Sequence, residues 1–154
     1  MDNLLTIKQL KNKNELPWEL LLLADPSKKT IERYIYESDV YIALINNEVI
    51  GVYVLTIISE GIIELKNIAV DKNHQGQGIG KRLVLDAIQR ARNKEVKRIE
   101  VGTGNSSLSQ LALYQKCGFR IVGVKKDFFI ENYPEEIIEN GIQCLDMIRL
   151  AMDL

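Results

Sequence analysis

One stretch constrains this chain more than any other. An apolar run from Ile62 to Val70 is followed by a polar turn and then by a helix pattern. Leu83, Val84, Ala87, Ile88 and Ala91 recur at helical spacing, and Arg82, Asp86, Gln89 and Arg90 turn away from them. Gly76, Gly78 and Gly80 therefore occupy a strand-to-helix turn and the first turn of the helix. The leading amides of a helix have no internal acceptors and sit at the positive end of its dipole. Glycine lets a ligand approach the backbone with no Cβ in the way. The combination suits a phosphate or pyrophosphate; the bland alternative is a glycine-rich turn without a ligand.

Two familiar phosphate loops do not fit. The mononucleotide loop requires glycine, four residues, then Gly-Lys-Ser/Thr. Counted back from Gly80-Lys81, position 75 is glutamine and position 82 arginine. The dinucleotide fingerprint requires Gly-x-Gly-x-x-Gly, whereas the spacing here is Gly-x-Gly-x-Gly. Gln75-x-x-Gly78-x-Gly80, after a strand ending Ile68-Ala69-Val70, resembles the acetyl-coenzyme A signature of the GNAT superfamily of N-acetyltransferases. A second, independent segment resembles the same family: Asn105, then Leu113-Tyr114-Gln115-Lys116-Cys117-Gly118-Phe119, in the pattern Asn…Leu-Tyr-x-x-x-Gly-Phe.

Read in order, the chain alternates short elements. Leu4 to Leu10 reads as a strand, Pro17 to Ala24 as a helix, and Asp25-Pro26-Ser27 as a break that caps a second helix, Ser27 to Glu37. Val40 to Ile45, Val49 to Ile58 and Ile62 to Val70, joined by short turns, form an antiparallel meander. Arg98 to Gly102 reads as a strand parallel to the central one, because a helix precedes it. Gly102 to Asn105 reads as a loop and Ser106 to Cys117 as a helix with a capping box from Ser107 to Gln110, stopped by Gly118. Phe119 to Ile130 and Ile142 to Met152 read as two further antiparallel strands. The expected fold is α/β (α+β), a mixed, mostly antiparallel central sheet of about seven strands with helices on both faces. Residues 1–154 suit a single domain.

The resemblance implies an N-acetyltransferase that moves an acetyl group from acetyl-CoA to a primary amine by direct attack in a ternary complex. Backbone amides across Gln75, Gly76, Gln77, Gly78, Ile79, Gly80 and Lys81 would grip the pyrophosphate, with Lys81 adding charge. The pantetheine arm would pair with the strand carrying Ile68, Ala69 and Val70, and an amide of Ile68 or Ala69 would face the acetyl oxygen. Asn105 would contact the coenzyme arm. Tyr114 would stabilise or protonate the departing thiolate; the spacing of Leu108, Leu111 and Ala112 predicts the buried stripe of its helix, with Tyr114 outside it. Glu64, four residues before Ile68, falls on the face of Ile68 by strand alternation; it would assist deprotonation of the acceptor, or be a solvated or salt-bridged strand-end carboxylate. The competing readings are a non-catalytic acyl-CoA-binding sensor and a nucleotide-binding module.

Composition excludes other classes. Twenty basic against 21 acidic residues leave no basic excess for nucleic acid and no charge block for a membrane surface. No metal site is expected with His74 as the single histidine, and His74 reads as a solvated loop residue. Cys117 and Cys144 read as buried free thiols. The first residues lack the pattern of a signal peptide, so a cytoplasmic protein is expected. Glu131, Glu135, Glu136 and Glu139 form an acidic stretch without lysine or arginine; it reads as a solvated loop or as a bias toward cationic acceptors. The acceptor, a small molecule or a peptide, has no motif of its own, and a homodimer is suggested because dimers are common in that family.

Overall fold

The structure is a computed structural model describing residues 4–154. Seven strands form one sheet: β1 (Leu5–Gln9), β2 (Asp39–Ile45), β3 (Glu48–Ser59), β4 (Ile62–Val70), β5 (Arg98–Gly104), β6 (Arg120–Lys125) and, last in the chain, β9 (Met147–Asp153). Their order is β1-β2-β3-β4-β5-β9-β6, and only the β4/β5 pair is parallel. A hairpin of β7 (Ile138–Glu139) and β8 (Ile142–Gln143) stands apart from it. The expected mixed sheet of seven strands is thus the observed one.

The meander follows from its turns. Asn46 and Asn47 both take positive φ, 51° and 65°, which the β2–β3 hairpin requires and asparagine tolerates. The crossover from β4 to β5 runs through α3 (Ile79–Asn93), which buries Leu83, Val84, Ala87, Ile88 and Ala91 against one face of the sheet. Each such aliphatic side chain taken from water contributes about 1.5–3 kcal/mol for the larger ones. The opposite face is covered by α1 (Trp18–Ala24) and α2 (Lys28–Glu32). Ser27 caps α2 by accepting from the Thr30 amide at 3.2 Å. That helix ends at Glu32, and a single 3₁₀ turn, Ile35–Glu37, completes the segment read as one helix.

Four local expectations fail for long-range reasons. β5 continues to Gly104, so Gly102 and Gly104 are strand residues paired with Arg149 and Met147 of β9. Gly102 is glycine because a Cβ there would lie 2.6 Å from Arg149 Nη1 and from Met147 Sδ. The capping box of α4 (Leu108–Lys116) does not form: the Ser107 side chain accepts from no helix amide, and its Oγ donates to Glu139 Oε1 at 2.9 Å. The strand read to Ile130 stops at Lys125. Asp127, in the left-handed region at φ 61°, starts the short helix α5 (Phe128–Asn132), and Asp146 Oδ1 holds its amide at 2.8 Å. The strand read from Ile142 begins only at Met147, because Asn105 Oδ1 accepts from the Leu145 and Asp146 amides and draws that segment off the ladder. Cys144 is buried, whereas Cys117 is half-buried; both are free.

Candidate active site

β4 and β5 pair only from Ile62/Arg98 to Leu65/Val101. Beyond that point β4 stays with β3 and β5 stays with β9, so the two parallel strands part. The part of β4 after Leu65 has no ladder partner on that side. Its residues Ile68, Ala69 and Val70 line a cleft of about 360 Å³ together with Leu23 and Ala24 of α1 and Ser109, Gln110, Leu113 and Tyr114 of α4.

The glycine turn lines the same cleft. Gly76 and Gly78 have φ of 77° and 80°, where other L-residues are strained, and a Cβ at either would meet nothing within 4 Å. The glycines are therefore required by backbone conformation, and the space before them is open. Gly78 begins α3 with no side-chain cap, and the first intrahelical bond of that turn is from the Arg82 amide to Gly78 O at 3.2 Å. The Ile79, Gly80 and Lys81 amides precede it and have no acceptor within the helix. No acidic residue occupies the first turn of α3 to answer its dipole. Gln75 Nε2 donates to Val70 O at 2.9 Å, which ties the turn to the end of β4. Asp71 holds the other side of the turn through the Asn73 amide and His74 Nδ1.

Tyr114 of α4 also lines the cleft. It is 3% exposed and packs edge-on against Phe119, with ring centres 5.9 Å apart. The stripe read from the sequence is corrected here: Leu108 and Ala112 are exposed and Leu111 only half-buried, and Tyr114 is the buried residue of α4. No hydrogen bond engages its hydroxyl among the described residues. Burial, with a smaller contribution from Cys117, raises its phenol above the ordinary range, so it stays protonated at neutral pH.

The other candidates divide. Gln75, Gly76, Gly78, Ile79 and Gly80 line the cleft with Ile68, Ala69 and Val70. Gln77 and Lys81 are exposed and are not among the residues that line it. Asn105 also lies off the cleft: its oxygen takes the Leu145 and Asp146 amides, and its nitrogen donates to Gln143 O at 3.1 Å.

Glu64 departs most from expectation. Val54 pairs with Asn67 while Leu55 pairs with Leu65, so Lys66 is an extra residue, a bulge that reverses the alternation. Ile63, Leu65 and then Ile68 belong to the α3 side, and Glu64 faces α1 and α2 with Asn67 and Ala69. Glu64 Oε2 accepts from Arg149 Nη1 at 3.2 Å, and Arg149 Nη2 donates to Glu100 at 3.0 Å. Glu64 and Glu100 are directly opposed in the β4/β5 register, and Arg149 neutralises that like-charge pair.

Sequence reasoning missed Leu23, Ala24, Ser109, Gln110, Leu113 and the cleft-lining side of His74. The helix spacing of α4 could have put Ser109 and Gln110 near the glycine turn; nothing local marks Leu23 or Ala24. Among the described residues no group of three or more His, Cys, Asp or Glu could hold a metal ion, and no helix is long and apolar enough to cross a membrane.

Comparisons with known proteins agree with this geometry. The model of the acetyltransferase (GNAT) family matches residues 8–119. An uncharacterised N-acetyltransferase of Bacillus subtilis, YvbK, is 51% identical over 141 residues, 92% of this chain and 91% of its own. A GNAT family acetyltransferase from Elizabethkingia anophelis, solved with acetyl-CoA bound, superposes with a TM-score of 0.96 at 51% identity, over 99% of each chain. The IAA acetyltransferase from Bacillus cereus superposes with a TM-score of 0.94 at 51% identity, over 97% of this chain and 99% of that one. The chain belongs to the GNAT acetyltransferase family.

Proposed function

We propose that this GNAT-family chain transfers the acetyl group of acetyl-CoA to a primary amine by direct attack while both substrates are bound. The observation that carries the reading is one cleft that brings three chemically distinct features together. Uncapped α3 amides behind the Gly76 and Gly78 turn, Tyr114 with its unengaged hydroxyl, and the unpartnered edge of β4 all line it. Acetyl-CoA supplies an activated thioester, an anionic pyrophosphate and an extended, amide-rich arm.

The α3 turn binds the pyrophosphate through the Ile79, Gly80 and Lys81 amides, with Gly76 and Gly78 keeping the approach clear. The free edge of β4 pairs with the pantetheine arm as an added strand, and an Ile68 or Ala69 amide steadies negative charge on the acetyl oxygen. The neutral amine forms a C–N bond to the acetyl carbon, the C–S bond breaks, and the amine's surplus proton leaves to solvent. Tyr114 donates a hydrogen bond to the departing sulfur. Its raised pKa keeps the proton on the phenol rather than passing it to a thiolate whose own pKa is about 8.5. Asn105 and Glu64 support the site: Asn105 anchors residues 143–146, and Glu64 with Arg149 and Glu100 fastens β4, β5 and β9 where the strands part.

The test is thermal shift with acetyl-CoA, ATP and NAD, followed by an amine panel monitored for free thiol. Stabilisation by acetyl-CoA with thiol release dependent on an amine supports the proposal. Stabilisation without release points to a non-catalytic acyl-CoA-binding module, and stabilisation by ATP or NAD alone refutes the cleft assignment.

A further inference from the structure

One buried side chain ties together two elements that line the cleft, without lining it itself. Asn67, the first residue after the Lys66 bulge, is 3% exposed. Its Nδ2 donates to Leu21 O of α1 at 3.1 Å and to the Tyr34 hydroxyl at 3.3 Å. The Leu21 carbonyl can only accept, so the amide cannot be turned over. Oδ1 has no partner, and it is the one buried side-chain nitrogen or oxygen so placed among the described residues.

Both ends of the link adjoin cleft residues. Ile68, Ala69 and Val70 follow Asn67 in β4, and Leu23 and Ala24 follow Leu21 within α1. The bond to Leu21 is the one hydrogen bond from β4 to α1 among the described residues. Leu20 and Leu21 otherwise meet the sheet in an apolar cluster with Val52, Val54 and Ala69. Apolar packing has no direction, so it fixes spacing less sharply than a bond to a carbonyl does. The Leu21 carbonyl also accepts from the Asp25 amide at 3.2 Å, so α1 does not need Asn67 to complete its last turn.

Stability does not call for asparagine here either. Its ladder partner Val54 and, two residues on, Ala69 are buried apolar residues. An unpaired buried oxygen costs at least as much as one typical hydrogen bond returns, so an apolar side chain of similar size suits the position. Partly unsatisfied buried groups mark positions where function outweighs stability. We infer that Asn67 is a positioning residue for acetyl transfer: by holding Leu21 it sets the end of α1 against β4, and so fixes Leu23 and Ala24 relative to the Ile68 and Ala69 amides, one of which receives the acetyl oxygen.

This inference rests on the acetyl-transfer reading above, and its test separates the two. Acetyl-CoA isotopically labelled at its acetyl carbonyl is bound with no amine present, and its carbonyl stretch is read by difference infrared spectroscopy; a hydrogen bond to that oxygen lowers the frequency. Affinity is measured by calorimetry, melting temperature by a thermal scan, and transfer to pentylamine in single turnover. Asn67→Leu should bind acetyl-CoA within about threefold of the unmodified chain and melt within about 4 °C of it. It should lose most of the frequency shift and transfer at least about tenfold more slowly. Asn67→Ser, whose hydroxyl is one bond too short to reach Leu21, should lose the shift likewise, and it decides the matter where Asn67→Leu does not fold. Tyr34→Phe removes the other contact and keeps the bond to Leu21, so it should match the unmodified chain within about twofold. A shift and a rate kept in the Asn67 variants overturn the inference and leave acetyl transfer standing. So does a joint fall of affinity, melting temperature and rate, the mark of a residue that only supports the fold. Tyr34→Phe losing the shift as fully as Asn67→Leu overturns it too, by moving the effect away from Leu21. The shift needs no amine, so it decides the inference whether or not pentylamine is acetylated. Acetyl-CoA bound without a shift in the unmodified chain overturns the inference alone, whereas no acetyl-CoA binding at all overturns both readings.

Discussion

Replacing Tyr114 by phenylalanine isolates one hydroxyl. The ring is nearly fully buried and its contact with Phe119 is through the ring, so packing survives the change. The hydroxyl has no hydrogen-bond partner among the described residues, so its removal orphans nothing and stability should stay within about 0.5 kcal/mol. In the reaction the hydroxyl serves only the departing sulfur. A hydrogen bond to a charged group is worth about 1.5–3 kcal/mol, which corresponds to about ten- to two-hundredfold in rate. Full proton transfer could give up to about 10⁴, but a phenol whose pKa burial has raised gives up its proton too reluctantly for that. The assay is single-turnover thiol release at saturating acetyl-CoA and amine, with acetyl-CoA affinity by calorimetry and a melting curve. The expected pattern is a slower chemical step with unchanged affinity and melting temperature. A rate within about threefold of the unmodified protein, with chemistry limiting, removes Tyr114 from the reaction, since even the weakest charge-assisted hydrogen bond exceeds that. A joint fall of affinity, melting temperature and rate makes it a packing residue.

Gly78→Glu should weaken acetyl-CoA binding by about a hundredfold or more, through loss of two charge-assisted contacts and added repulsion, and should cost about 1–2 kcal/mol of stability for a side chain at φ 80°; unchanged affinity by calorimetry contradicts phosphate binding at that turn. Glu64→Gln should lose about 1–2 kcal/mol, because Arg149 retains Glu100, and should keep the pH–rate profile of the unmodified protein; a displaced profile would make Glu64 the base. Burial raises Tyr34 to about 12 and carries Tyr53, Tyr114 and Tyr133 further up. Their neutral forms are favoured in the folded state, so this stability is complete below the unfolded value of about 10 and is lost as pH rises through the folded values. Denaturant midpoints should therefore be insensitive to these groups below about pH 9 and decline above about pH 10; midpoints level through that range would contradict it.

What was legible in the sequence is what neighbours in the chain decide. The run from Ile62 to Val70, the glycines after it and the apolar spacing of α3 each act within a few residues, and their boundaries are close to those observed. The illegible features depend on partners far away. The Lys66 bulge exists only against β3, and it turns Glu64 from the face of Ile68 to the opposite one. Asn105 sits before two serines and resembles a turn residue, yet its bonds reach residues 143–146. Gly102 and Gly104 look like a loop and are strand because Arg149 and Met147 cross them. Ser107 does not cap α4, and its hydroxyl reaches Glu139, far away in the chain. Asn67 carries no motif, and only folding shows that its oxygen is left over.

The most direct measurement follows an isotopically labelled acetyl group from acetyl-CoA in the presence of the chain and an amine panel. Label in an amide on the acceptor nitrogen, formed one-for-one with free coenzyme A thiol and lost in Gly78→Glu, is the predicted result. Bound acetyl-CoA with label appearing only as free acetate, or in no product above the uncatalysed rate, would contradict acetyl transfer to an amine as the work of this cleft.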